Sequence, residues 1–261
     1  MSDINNINLF NNGYSITPNF ITQSVIDDLL NKIDYFKRNC DLIKNKISDF
    51  DVPVVTFFVA GFKNDQLIIK LNDFNIIKNI IELMKLDIVN KFNPEKLFAY
   101  EITIFEKKKG SPKLVLHQDS WYHPFLLSEN KFEFFSYYIP LTNYIDKDSS
   151  RIGIINLNNI NYKENFVKKH IITGDDLSKI NSKLLLVEKD IYYPDLFAGD
   201  CLIFEIRSPH LSLEHTTIES RFALSVRFGI VPPKINDLNE SHANFVEQLK
   251  KFGDKIFYNL I

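Results

Sequence analysis

The sequence predicts a mainly β fold, a barrel or sandwich backed by a helical layer near its amino-terminal end. Three observations carry that prediction. Two stretches before residue 95 repeat apolar residues at helical spacing. Six later segments have strand character and are separated by Gly, Pro, Asp and Ser turns. The chain has 261 residues and is 45% hydrophobic, enough apolar side chain for a substantial core.

Taken in order, Asn12-Gly13 is a turn signal and Tyr14-Ser15-Ile16 reads as a short strand. Residues 22–36 place Val25, Leu29, Leu30, Ile33 and Phe36 on one face of a helix. Residues 52–59 are β-branched and aromatic, with Pro53 suiting a strand start or an edge. A second helix is expected over 74–89, burying Ile76, Ile77, Ile80, Ile81, Met84 and Ile88. Strands are expected at 97–105, 114–117, 132–140, 151–157, 201–206 and 221–231. Residues 158–195 are polar and broken, and read as a long insertion of the kind that often forms a lid or binding loop. No repeat or linker divides the chain. It reads as one domain over 1–261: a helical layer to residue 95, barrel strands over 96–235 and a C-terminal helix over 236–261.

Charge and cysteine content exclude several classes. A net charge of −2 and a pI near 6.3 lack the basic face of a nucleic-acid binder. The basic run Lys107-Lys108-Lys109 precedes Gly110 and reads as a solvated turn. No segment approaches the roughly 18 apolar residues of a membrane span. The first residues lack the pattern of a signal peptide, so a cytoplasmic location is expected. Two cysteines, Cys40 and Cys201, supply neither a disulfide framework nor a CxxC metal site, and Cys201 reads as buried filler in its strand.

His117-Gln118-Asp119 closes the apolar run Leu114-Val115-Leu116. Alternate residues of a strand point the same way, so His117 and Asp119 can offer an imidazole nitrogen and a carboxylate oxygen to one ion. Further on, the Gly199-Asp200 turn leads into a strand with His210 beyond its far end, and the chain re-enters a strand at Arg221. Neighbouring antiparallel strands then present His210 and Arg221 near the same rim. Two histidines and a carboxylate form a facial triad that leaves half of an octahedral Fe(II) site open. Arg221 adds a planar charged fork for a carboxylate farther from the metal.

HxD, a long gap, and then His and Arg eleven residues apart resemble the Fe(II)/2-oxoglutarate dioxygenases, and within them the phytanoyl-CoA dioxygenase-like branch. The HQD spelling, Asn12-Gly13-Tyr14 with Phe20 and the following helix, Tyr137-Tyr138-Ile139-Pro140-Leu141-Thr142 and Gly199-Asp200 all resemble that branch. The resemblance touches nearly the whole chain, but only its second half carries specific motifs. Two features depart from the branch: His215 replaces a common Asn, and Asp148-Ser149-Ser150-Arg151-Ile152-Gly153 replaces an Asn-Gly element.

The resemblance implies a double-stranded β-helix, the jelly-roll or cupin-like barrel. It implies Fe(II) held by His117, Asp119 and His210, with 2-oxoglutarate and O2 as co-substrates. Arg221, helped by Ser212, would bind the distal carboxylate of 2-oxoglutarate. The implied reaction couples oxidative decarboxylation of the 2-oxo acid to oxidation of a small-molecule substrate, most simply by hydroxylation. A metal-binding cupin with isomerase or hydrolase activity, or a non-catalytic binding barrel, is the alternative. A rival register pairs His215 with Arg227, twelve residues apart, but only the His210 register also places Ser212. Arg227 shares strand parity with Arg221 and suits either an ion pair at the barrel end or substrate binding. Trp121, Tyr122 and His123 lie where a loop would line the pocket mouth, with Trp121 the candidate substrate contact. His170 and His242 read as surface residues.

Overall fold

The computed structural model describes residues 9, 11–39, 54–59, 66–119, 133–143, 149–156, 191–230 and 258–259. Strand β1 (Tyr14–Thr17) precedes helix α1 (Gln23–Asn39), and strands β2 (Val54–Val59) and β3 (Gln66–Lys70) pair antiparallel. Helix α2 (Asn75–Phe92) ends at Asn93, whose left-handed conformation closes the last turn through a bond from its N–H to the carbonyl of Val89. Then follow β4 (Phe98–Lys107), β5 (Leu114–His117), β6 (Phe134–Pro140), β7 (Ile152–Ile155), β8 (Ile191–Tyr192), β9 (Cys201–Glu205), β10 (His210–Ser212), β11 (Arg221–Gly229) and β12 (Tyr258–Asn259).

These strands form two sheets. The larger runs β1-β9-β6-β11-β4-β2-β3, with β12 against β4, and the smaller runs β5-β10-β7-β8. From β4 to β11 the chain alternates between the sheets, except that β7 and β8 stay together in the smaller one. That winding makes a double-stranded β-helix, as expected.

Side-chain parity sorts the two faces of the larger sheet. Ile102, Ile104, Tyr137, Ile139, Ile203, Leu224 and Val226 pack with the buried faces of both helices in the main core. Helix α1 buries Ile26, Leu29, Ile33 and Phe36, while Val25 and Leu30 flank that stripe. Helix α2 buries Ile77, Ile80, Ile81, Met84 and Ile88, with Ile76 at its margin. Two polar contacts fix the helices in register. Lys37 Nζ of α1 meets the buried Glu106 carboxylate of β4 at 2.8 Å. The Tyr137 hydroxyl of β6 donates to Asp87 of α2 at 2.6 Å. The opposite face of the sheet meets the smaller one, where Ile152, Ile154, Leu202 and Phe204 cluster.

Several expectations need correction. Strands β3, β8, β10 and β12 are additional to the expected ones, since each has only two to five residues and little periodicity to read. The expected helix over 236–261 lies outside the described residues except at 258–259, which pair with β4 as a strand. The insertion at 158–195 lies outside them up to residue 190, and its end contributes β8. Lys107 is not in a solvated turn. It is the last residue of β4 and 6% exposed, because strand pairing with Arg221 carries β4 two residues past Phe105. The turn begins one residue later, where the Lys108 N–H meets the Ser111 hydroxyl and Gly110 takes a φ of +84°. Cys201 is buried, as expected.

The Gly199-Asp200 turn binds the amino-terminal layer to the barrel. Asp200 accepts from the backbone N–H groups of Asn19 and Phe197 at 2.9 and 2.8 Å, and Ile21 N donates to Gly199 O at 3.1 Å. Gly199 has φ +91°, and a Cβ there would stand 2.5 Å from the Ile21 carbonyl oxygen. Gly199→Ala is expected to cost roughly 1–3 kcal/mol from its backbone conformation alone, with the clash added. Chemical denaturation reads this as a lowered midpoint, and a midpoint equal to wild type would refute it.

Candidate metal centre

The centre is built on strand ends. His117 ends β5 and is the direct cross-strand partner of His210, which begins β10. Gln118 turns the other way and donates to the carbonyl of Arg207, so His117 and Asp119 share one side. The two imidazole rings stand 4.2 Å apart between centroids. His117 Nε2 lies 3.9 Å and His210 Nε2 3.7 Å from Asp119 Oδ1, and one donor atom from each residue falls within 4.8 Å of the others. All three residues are buried.

The surroundings prepare these groups to accept a cation. His210 Nδ1 is 3.0 Å from the Ser208 carbonyl, which can only accept, so Nδ1 carries the proton and Nε2 presents its lone pair. Ser208 is itself anchored, its hydroxyl donating to Gly13 O at 2.9 Å beside β1. Burial pushes the His210 imidazole below its ordinary pKa and favours the neutral, ligating form. Burial works against ionisation of Asp119, but the Arg227 guanidinium overrides it and holds the carboxyl well below the usual range. Arg227 donates through Nε and Nη2 to the two Asp119 oxygens, each at 2.9 Å, and Ser136 adds a hydroxyl donor at 3.0 Å. Its Nη1 meets Glu101. Of the two roles open for Arg227, the ion pair is formed, and Arg227 also lines the cavity into which the donors open.

Two nitrogens and one oxygen, converging and buried, suit a divalent transition metal with open coordination positions, and Fe(II) fits this donor set. The three donors open into a cavity of about 180 Å³ between the sheets. Arg221 and Ser212 line the same cavity, so the structure brings together every site residue the sequence singled out in the described regions. Arg221 donates to the Ser150 carbonyl and the Tyr138 hydroxyl. Phe105, Ile152, Phe204 and Leu211 supply apolar walls.

His215 is not in the cluster. Its Nε2 donates to the Glu219 carbonyl at 2.7 Å, and its Nδ1 lies 2.6 Å from the Ser150 hydroxyl, so both nitrogens are engaged away from the three donors. Trp121, Tyr122, His123, His170 and His242 lie outside the described residues. Sequence reasoning missed Ser136, Tyr138 and Lys107. Alternation could have found them: Glu101, Thr103, Phe105 and Lys107 pair in turn with Arg227, Ser225, Ala223 and Arg221 on one face of the sheet. Ser136 and Tyr138 extend the same rows onto β6.

No family model matches this sequence, and no curated protein does. Solved structures do resemble it. The non-heme α-ketoglutarate-dependent carbocyclase SnoK of nogalamycin biosynthesis aligns at a TM-score of 0.61 and 13% identity, covering 100% of this chain and 97% of its own. EvdO2 from Micromonospora carbonacea var. aurantiaca aligns at 0.63 and 14%, covering 92% and 95%. HygX from Streptomyces hygroscopicus, solved with nickel and 2-oxoglutarate bound, aligns at 0.58 and 8%, covering 88% and 86%. At these identities the likeness speaks for the fold, and the chain has the double-stranded β-helix fold that non-heme 2-oxoglutarate-dependent enzymes such as SnoK use.

Proposed function

We propose that the protein is an Fe(II)- and 2-oxoglutarate-dependent oxygenase acting on a small-molecule substrate, most simply by hydroxylating an unactivated C–H bond. One observation carries this reading: a buried His-Asp-His donor set and the guanidinium of Arg221 line a single cavity between the sheets. The neighbours in structure support it, since HygX was crystallised with nickel and 2-oxoglutarate. Others are named as a non-heme epimerase, carbocyclase and monooxygenase, so the fold serves several non-heme reactions.

In this reading His117, Asp119 and His210 hold Fe(II), and Arg227 with Ser136 fixes the Asp119 rotamer. Arg221 and Ser212 bind the distal carboxylate of the 2-oxo acid, and Tyr138 and the Ser150 carbonyl hold the Arg221 fork in place. The aromatic and aliphatic walls exclude water from the reacting end. Bound there, Fe(II) supplies the redox chemistry that couples decarboxylation of the 2-oxo acid by O2 to oxidation of the substrate.

Protein loaded with Fe(II) is expected to consume O2 and convert 2-oxoglutarate to succinate, and to lose both activities in His117→Ala. Incubation with metabolite pools should then deplete one species and produce another carrying an additional oxygen atom. Fe(II) binding with 2-oxoglutarate untouched under all these conditions defeats the oxygenase reading and favours a cupin that uses its metal otherwise.

A further inference from the structure

Lys107 is the part of the cavity that the proposed function does not use. It stands directly opposite Arg221 where β4 pairs with β11, and both residues line the cavity on the face shared with Phe105 and Ala223. Like charges directly opposite each other destabilise a strand pair. Both residues are 6% exposed, so water screens that repulsion poorly. Lys107 Nζ donates to the carbonyls of Leu213 at 2.6 Å and Pro112 at 3.2 Å, and among the described residues no carboxylate lies within ion-pair distance of it. A lysine ammonium has three donors, so a third remains for a ligand. Two opposed cations at one end of an apolar cavity make a site for an anion.

We propose that Lys107 is a second cation for the distal carboxylate of the 2-oxo acid, acting beside Arg221 to select dicarboxylates. This rests on the oxygenase reading above and deepens it. Burial, and the Arg221 charge after it, push the Lys107 ammonium down to about 7, so near neutrality much of it is uncharged until an anion arrives. An incoming carboxylate favours the charged form, and binding should draw in a proton. The other titratable or charged groups around the cavity are Lys113, His117, Asp119, Tyr138, His210, Arg221 and Arg227, while Glu106 on the far face is held by Lys37.

The test is anaerobic calorimetry of the Fe(II)-loaded protein with 2-oxoglutarate and with 2-oxopentanoate, which has no distal carboxylate. Wild type should bind the dicarboxylate more tightly. Lys107→Met should weaken that binding about 10-fold or more and leave 2-oxopentanoate unchanged, because only the charged hydrogen bond is lost. Lys107→Arg, which keeps a cation, should recover most of the difference. At mildly alkaline pH, titration in two buffers of different ionisation enthalpy should show proton uptake in wild type and none in Lys107→Met. Undiminished binding in a folded Lys107→Met, or wild-type binding with no proton uptake, overturns the assignment and leaves Lys107 as a structural tie to Leu213 and Pro112. Absence of any 2-oxoglutarate binding to wild type instead removes the oxygenase reading itself, and this inference with it.

Discussion

Asp119→Ala is expected to abolish Fe(II) binding and also to destabilise the metal-free protein by roughly 3–5 kcal/mol, the usual result of removing one partner from a buried ion pair. The Asp119 side chain is 1% exposed and that of Arg227 11%, and the two make a fork of two hydrogen bonds. Without Asp119, the only carboxylate left to the guanidinium among the described residues is Glu101, which is itself 29% exposed, and Ser136 loses its acceptor. His117→Ala removes a ligand with no comparable charge left behind, so it should lose the metal at little cost to the fold. Metal content together with chemical denaturation of the metal-free variants separates the two effects. Equal stability of the two apo variants would show the ion pair to be energetically idle. Stoichiometric Fe(II) in both would remove the metal site.

Arg221→Ala is expected to raise the 2-oxoglutarate dissociation constant by about 30-fold or more, because truncating one partner of a desolvated charge-assisted pair costs roughly 2–5 kcal/mol. Fe(II) affinity should stay near wild type, since Arg221 makes its described hydrogen bonds to Ser150 and Tyr138 and not to the three donors. Calorimetry under anaerobic conditions reads both quantities. Unchanged 2-oxoglutarate binding with intact metal binding would defeat this role for Arg221. Arg227→Ala should behave in the opposite way, weakening metal binding first because it releases Asp119.

The site was legible because its chemistry rides on strand alternation. His117 and Asp119 had to share a side once β5 was a strand, and Arg221 and Arg227 had to share one along β11. The helical stripes were legible for the same reason at a period of 3.6. What the sequence hid was pairing between distant strands. Strand β10 has three residues and takes its form from β5 and β7 on either side, so nothing local marks His210 as a strand residue. Lys107 was hidden by its neighbours: Lys108 and Lys109 suggest solvent, while strand register with Arg221 turns the first lysine of the run inward. Local composition reports a solvated face well and reports the end of a strand poorly.

The path from Gly13 through Ser208 to His210 bears on the order of assembly. It joins the first described strand to the second imidazole, nearly two hundred residues away in sequence, and Asp119 is braced from Arg227 farther on still. Closures this long form late, because much chain entropy must be lost before such contacts reward it. A nascent chain therefore holds the three donor residues well before it can point them at one another. Asp119 gains its brace only after β11 has been made and has docked between β4 and β6. On this reading iron meets a finished barrel, entering after folding and not acting as its template.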